Sequence, residues 1–490
     1  MKKLLYTFLL LGLFLSFQSC NDFLELKPVS SSTSGNAFET QDDIEAALVG
    51  AYSTLHAEYY IWDNILLSDV RSDNAYAGPP DDVDIFEYDL LTVSSSNNRL
   101  VWNWGDLYNG IARCNTILNK IDAIKDIPDE RASEIKGEAR FLRALFYFDL
   151  VKMFGGVPLI TSTESSEPDK IQVPRSTLEE SYNFIVEDLE FASQNLPATY
   201  GDDNSVNKAR ATKGAADALL AKVWAQRPDR DYTKVLKYCD DVINSAAGYA
   251  LLSDFNELFD GTNYNNEESI FEIQFIGGTD QGNWGPQLFL PPSISGDGWR
   301  KYATPSHNLV DAYFDAQDWV RLDATIMWEW VDWVDEYWNA EDPNEWVTFA
   351  YKFKHADDWS SGDHIYLIRL ADIMLLKAEA LANLNQGDLG RDIVNTIRAR
   401  VGLDPVPAGN SQEMLDIILN ERRLELAYEA QRWDDLVRYG KAVSTMSSLQ
   451  EKNLITGEFV DYNANQNTLI LPIPIDELDR NPNLVQNPGY

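Results

Sequence analysis

Basic residues are scarce in this chain: 40 lysines and arginines stand against 78 aspartates and glutamates, a net charge of −38 over 490 residues. Phosphate backbones need clustered lysine and arginine, so nucleic acid is excluded as a partner, and an anionic headgroup surface is disfavoured on the same ground. Histidine is scarcer still. His56, His307, His355 and His364 fall in no metal-ligand spacing, and there is no His-Glu-x-x-His. No Gly-x-Ser-x-Gly elbow occurs, and Gly277-Gly278-Thr279-Asp280 lacks the lysine and helix of a phosphate loop. Nothing singles out one carboxylate pair for glycosidic hydrolysis. Asp260-Gly261-Thr262-Asn263 with Glu267 and Glu268 offers oxygens of the kind calcium takes, but not in EF-hand order, and is read as solvated loop. No enzyme activity and no cofactor is expected. Of three cysteines, Cys114 and Cys239 sit in helix-like segments and are read as free buried thiols.

Long apolar runs are almost missing too. The exception is Leu4 to Phe17, preceded by Lys2-Lys3 and followed by Gln18-Ser19-Cys20. That run is too short to span a bilayer and has the plan of a secretory signal. A cysteine at its exit marks a lipoprotein signal, although Phe17 stands where leucine is usual. Residues 1–19 are therefore read as signal peptide, with Cys20 as the lipidated residue and 20–35 as a tether. Each buried methylene is worth about 0.8 kcal/mol, so two or more acyl chains anchor a protein durably. Residues 36–490 are read as one domain.

Helical periodicity dominates what remains. Residues 36–60 read as helix and 61–100 as irregular, with a turn cluster at Gly78-Pro79-Pro80-Asp81-Asp82. Helix returns near Trp102 and continues, with breaks, to Asn244. Leu142, Phe146, Leu150 and Met153 form one apolar stripe, closed by Gly155-Gly156-Val157-Pro158. Ser176 with Glu179 reads as a capping box, and Gly214, Ala215, Ala218 and Ala221 leave room for a neighbouring helix. Region 262–362 differs: it has strand-like alternation at 270–275, a Gly-rich loop from Gly277 to Gly298, and eight of the 14 tryptophans between Trp299 and Trp359. Helices resume at Ile368, and Leu426, Ala430, Trp433 and Val437 step as one further helix. The expected fold class is mainly α. Scaffold helices over about 36–250 and 363–490 flank an irregular, aromatic-rich region with short β-strands.

Several segments then carry a resemblance. They are Ala139-Arg140-Phe141-Leu142-Arg143 running into Phe154-Gly155-Gly156-Val157-Pro158, Pro174-Arg175-Ser176-Thr177, and Ile368-Arg369-Leu370-Ala371-Asp372. Glu421-Arg422-Arg423-Leu424-Glu425-Leu426-Ala427 leads to Arg432-Trp433-Asp434-Asp435, and the chain closes on Pro472-Ile473-Pro474 and Gln486-Asn487-Pro488-Gly489-Tyr490. In this order they resemble the SusD/RagB family of Bacteroidetes outer-membrane nutrient-binding lipoproteins. The resemblance implies a SusD-like fold with tetratricopeptide-type helix pairs, a lipid anchor on the outer face of the outer membrane, and a SusC-like TonB-dependent transporter as partner. It also implies non-catalytic capture of an oligosaccharide or polysaccharide. Peptide capture of the RagB type, or a transporter lid with little ligand affinity, are the alternatives. Arg140, Arg143, Arg422, Arg423 and Glu425 are read as cross-helix pairs.

Ligand contacts have to be argued from chemistry. A sugar offers a flat apolar face and a rim of hydroxyls, which an aromatic plate flanked by Asp, Asn and Arg complements. Two loop-like stretches combine these types. One holds Arg71, Asp73, Asn74 and Tyr76, near Trp62; the other holds Trp284, Trp299 and Arg300. Trp102 is a further candidate, whereas Trp104 reads as scaffold. The run Trp328, Trp330, Trp333, Trp338 and Trp346 is left open between binding ridge, hairpin face and protein contact. The acidity favours a neutral oligosaccharide over a polyanion, with Arg71, Arg300 and Lys301 as the one basic group that would oppose this. A wet, shallow site of few plates implies a Kd of about micromolar to millimolar.

Overall fold

The computed structural model describes residues 38–79, 82–162, 172–407 and 409–490. The signal, Cys20 and the tether lie outside them, as do Pro80 and Asp81 of the turn cluster. Ten principal helices among the described residues carry the scaffold: α1 (Gln41–Tyr52), α2 (Asn98–Lys120), α3 (Asp129–Phe154), α4 (Leu178–Asn195), α5 (Lys213–Gln226), α6 (Tyr232–Ile243), α7 (Leu370–Asn383), α8 (Gly387–Arg400), α9 (Ser411–Leu426) and α10 (Arg432–Arg438). Consecutive helices pack on one another, α2 on α3, α3 on α4, α4 on α5 and α5 on α6. α6 then packs across the chain on α7, and α7 on α8 and α9. This is the pairwise helical stack the resemblance implies. Six short strands form three antiparallel pairs: β1 (Ala75–Tyr76) with β3 (Thr304–Pro305), β2 (Ser269–Ile273) with β6 (Ile365–Arg369), and β4 (Ile326–Glu329) with β5 (Val347–Ala350).

Local chemistry sets the helix starts. Thr40/Asp43, Thr177/Glu180 and Asn410/Glu413 form reciprocal capping boxes at α1, α4 and α9. At α4 the box is one residue beyond the Ser176/Glu179 pairing expected from sequence, because Thr177 is the residue with extended backbone. Gly214 serves Tyr249, not a neighbouring helix: a Cβ there would sit 2.4 Å from the Tyr249 hydroxyl. Cys114 and Cys239 are free and buried.

α9 ties scaffold and insert together through buried charge. Arg422 donates to Asp372 on α7 (2.7 Å) and to Asp435 on α10 (2.8 Å). Glu425 receives Arg369 of β6 (2.6 Å), Arg321 (3.1 Å) and Arg400 of α8. Arg143 forks onto Asp188 at 2.7 and 2.8 Å. Charges removed from water survive only when paired this way; Arg140, Arg143 and Arg422 are cross-helix partners, whereas Arg423 departs from that reading and reaches Asp73 and Asn74 before β1. The continuous helix expected through 426–437 is interrupted. Tyr428 and Ala430 are left-handed, with φ of 62° and 56°, and the Tyr428 N–H leaves the helical ladder to donate to Asp69 (2.9 Å).

Candidate functional site

Residues 59–70 were expected to be irregular beyond Tyr60 and instead wind as two π-helical turns. The Asn64 N–H reaches the Tyr59 carbonyl, and the Arg71 N–H reaches the Leu66 carbonyl at 3.1 Å. A π turn is rare and concentrates at functional sites. Here it holds Trp62 as the keystone of an aromatic assembly. The Trp62 ring is buried, and its indole N–H donates to Glu58 (3.0 Å). Tyr302, Trp284 and Phe289 surround it at centroid distances of 5.4, 6.3 and 6.3 Å.

From this keystone the assembly spreads to the surface in two directions. On one side the Arg99 guanidinium lies 4.1 Å from the Trp62 centroid and 5.8 Å from that of Trp102, while Nη1 donates to Glu58 (3.0 Å) and Asp63 (2.8 Å). Cation–π contact and ion pairing together fix Trp102, which is 48 % exposed. Burial pushes the Asp63 carboxyl up to about 7, against the pull of Arg99. On the other side Tyr302 meets Trp299 (5.9 Å), and Trp299 meets Trp359 with centroids 6.3 Å apart and ring planes only 17° from parallel. Trp359 is 43 % exposed, and Trp284 and Trp299 are half-buried.

The loops carrying these rings are braced against each other. Gln287 donates to the Ser295 carbonyl (2.7 Å) and to Asp297 (2.5 Å), and accepts the Trp359 N–H (3.3 Å). The Gln287 amide, helped by Trp299, holds the Asp297 carboxyl below its usual range. Lys301 lies 3.7 Å from the Trp299 centroid and donates to the Gln287 carbonyl; burial pushes its ammonium down to about 8. The Gly-rich loop closes on the 357–363 loop through Gly278 N–H to Ser360 O (2.8 Å) and the Asn283–Ser361 bridge. Side chains would forbid this approach: a Cβ on Gly282 would sit 2.2 Å from the Ser360 hydroxyl. Asp357, Asp358 and Trp359 are all left-handed, with φ of 47°, 52° and 70°. Three successive non-glycine residues in that region store strain, which is held only where the surroundings impose it.

The result is one connected run, Trp102–Arg99–Trp62–Tyr302–Trp299–Trp359, with Trp284 branching from it. It offers flat exposed rings with Glu58, Asp297, Asp357 and Asp358 as acceptors beside or between them. A family model described as the SusD family matches residues 267–490, and a second, described as starch-binding and associating with the outer membrane, matches residues 22–224. Both models are of the SusD type, and the chain is SusD-like over most of its length. A SusD-like protein from Formosa agariphila is 28 % identical, with all of both chains covered. The starch-binding protein SusD of Bacteroides thetaiotaomicron is 24 % identical over 83 % of this chain and 81 % of its own. A solved laminarin-binding SusD-like protein superposes with a TM-score of 0.77 at 28 % identity, covering 92 % of this chain and 100 % of its own. No helix among the described residues of this SusD-like protein is long and apolar enough to cross a membrane.

Against this geometry the residues singled out from sequence divide. Trp284, Trp299 and Trp102 come together on the aromatic face, and Trp62 lies beneath it. Arg71, Asp73, Asn74 and Tyr76 do not belong to it: all four are buried, and the last three are held by polar partners elsewhere. Asp73 accepts two bonds from Arg432 (2.7 and 2.8 Å) and faces Arg423 at 3.3 Å. Asn74 bridges Asp69 and Arg423 at 2.8 Å each. The Tyr76 hydroxyl donates to Asp335 (2.7 Å), and Arg300 pairs with Glu336. The tryptophan run is a hairpin face: Trp328 lies on β4, Trp333 packs on Phe349, Trp338 stacks on His307, and Trp330 and Trp346 are exposed. Asp260 is spent on its own turn, accepting from Thr262 (2.8 Å) and Asn263 (3.1 Å). Trp359 was missed. Its setting, Asp357-Asp358-Trp359-Ser360-Ser361-Gly362-Asp363, meets the same plate-plus-acid criterion as the loops that were chosen.

Proposed function

We propose that this SusD-like protein is a lipid-anchored surface protein. It captures a neutral oligosaccharide on the face running from Trp102 to Trp359 and passes it, unchanged, to a SusC-like TonB-dependent transporter. Cys20 carries the lipid, and the protein faces the cell exterior at the outer membrane. The observation that carries the binding reading is the near-parallel Trp299–Trp359 pair, joined through Tyr302 and Trp62 to a second exposed plate at Trp102. Exposed rings rimmed by carboxylates suit sugar faces and their hydroxyls, whereas a peptide-capturing groove has less use for parallel plates. Relatives named for starch and laminarin binding support the same ligand class.

Calorimetry with starch- and laminarin-derived oligosaccharides tests this on wild type, Trp359→Ala, Trp102→Ala and Trp330→Ala, each checked by circular dichroism. Stacking on one ring is worth about 1–3 kcal/mol on the scale measured for bases. Trp359→Ala and Trp102→Ala are therefore expected to weaken binding about tenfold or more, and Trp330→Ala to leave it unchanged. Native affinity in both folded face variants would overturn the assignment. Loss confined to Trp330→Ala would move the site to the hairpin.

A further inference from the structure

The π-helical segment that supports Trp62 also borders an internal cavity of about 120 Å³, set between α3, the broken turn joining α9 to α10, and the insert. This is room for several waters or one molecule of monosaccharide size. Tyr59, Phe148, Phe259 and Phe353 give it aromatic walls. At one end it is bordered by Lys152, Lys222, Gln431 and Asp434, all part-exposed, which mark where it meets solvent. The charges there are already matched. Lys152 pairs with Asp434 (2.9 Å) and Asp149 (3.1 Å), and Lys222 with Asp372 and Gln431. Deeper in, Lys352 pairs with Glu429 (2.5 Å).

Arg71 is the exception. It lines the cavity and is 2 % exposed, yet among the described residues its guanidinium has only the neutral Thr468 carbonyl (2.7 Å) and the face of Trp433 (4.5 Å) as hydrogen-bond and ring partners. Its Nε is buried with no acceptor. Every other buried arginine among the described residues has a carboxylate within 3.3 Å: Arg99, Arg143, Arg227, Arg321, Arg369, Arg422, Arg423, Arg432 and Arg438. Burial pushes Arg71 down to about 10, against a smaller opposing pull from Tyr490, Tyr88 and Asp434. A guanidinium out of water without a counter-charge is costly, and Asp434, the carboxylate on the same cavity wall, is held by Lys152. A second orphan shares the cavity: Asn64 Oδ1 is buried and receives no donor from the described residues. Asn64 and Arg71 are also the two residues whose N–H groups close the successive π turns, and both line the cavity.

We propose that this cavity is a second binding site, separate from the aromatic face, for a monosaccharide-sized hydroxy carboxylate. The carboxylate pairs with the Arg71 guanidinium, a hydroxyl donates to Asn64 Oδ1, and the carbon body packs on the aromatic walls. A neutral sugar leaves Arg71 uncompensated. A bare inorganic anion leaves the apolar walls uncovered.

Calorimetry and thermal melts of the mature chain with D-glucuronate, glucose and inorganic phosphate, at matched ionic strength, decide it. Glucuronate is expected to bind and raise the Tm, with glucose and phosphate at least tenfold weaker. Arg71→Gln is expected to weaken glucuronate at least tenfold. Asn64→Leu, which keeps the buried cation and so guards against a folding failure at Arg71, is expected to do the same. Trp359→Ala, on the other face, is expected to leave glucuronate binding unchanged and so separates this site from the oligosaccharide reading. Absence of glucuronate binding, equal binding of glucose or phosphate, native affinity in Asn64→Leu, or a loss in Trp359→Ala would each overturn the proposal.

Discussion

Replacing Asp73 by Asn removes one charge and almost no volume from a buried ion cluster with two arginines. Asp73 is buried, with Arg432 forked onto both of its oxygens and Arg423 at 3.3 Å. Burial by itself would raise this carboxyl; the two guanidiniums overcome that and hold it far below the usual carboxylate range. The substitution leaves two buried cations facing an amide. Breaking a buried pair costs about 3–5 kcal/mol, because the stranded charge keeps its desolvation cost. With a urea m-value of about 3 kcal/mol/M, the unfolding midpoint is expected to fall by about 1–1.7 M. A carboxyl whose folded-state pKa is depressed stabilises above its unfolded value of about 4, and that stability drains away as pH falls below it. The gap between wild type and Asp73→Asn is therefore widest at neutral pH and narrows in acid. Urea melts followed by circular dichroism at several pH values measure the gap, and calorimetry on the folded variant measures oligosaccharide binding. Affinity is expected to stay within about twofold of wild type. An unchanged midpoint with affinity down tenfold would refute the reasoning and return Asp73 to the ligand.

Asp89 carries the opposite sign. Buried with one oxygen on the Ala77 N–H (2.8 Å) and the other unpartnered among the described residues, it is pushed up to about 7 by burial. Its contribution to stability is full below about pH 4 and is lost as pH rises through 7. Asp89→Asn is expected to gain about 1–3 kcal/mol at pH 8 relative to pH 5, and a pH-independent difference in urea melts would count against this. Cys114 and Cys239 are buried, and burial pushes both thiols up, Cys114 to about 12. Neither is expected to react with a thiol reagent before denaturant unfolds the chain; a fast native reaction would show otherwise. Cys20→Ala is expected to shift the protein from membranes to the soluble fraction, and a variant that still pellets after a carbonate wash would rule out the lipid as the anchor.

Apolar stripes and buried-charge motifs made the scaffold readable because both are written in local spacing. Leu142, Phe146, Leu150 and Met153 on α3 are all buried in the core, and Arg143 and Arg422 pair as the motif suggested. The helix through 426–437 was misread for a non-local reason: the stripe continues in sequence, but Asp69 takes the Tyr428 N–H from another part of the chain. The site was half legible. Tryptophans beside acidic loop residues identified Trp284, Trp299 and Trp102. The same composition at Asp73 and Asn74 describes a buried ion knot equally well, and what separates the two cases is an arginine 359 residues away. The π turns at 59–70 left no signature in apolar periodicity, so Trp62 could be named but not placed.

The left-handed winding at Asp357, Asp358 and Trp359 bears on how such a face can change over time. A loop fixed by three consecutive unfavourable backbone angles has one workable length. Exchanging the ring at 359 alters the plate while leaving its position intact. One inserted or deleted residue breaks the register with Gly277 to Gly282 and swings the plate off the face altogether. Ligand preference in this protein can therefore drift by point substitution at 359 far more readily than by change in loop length.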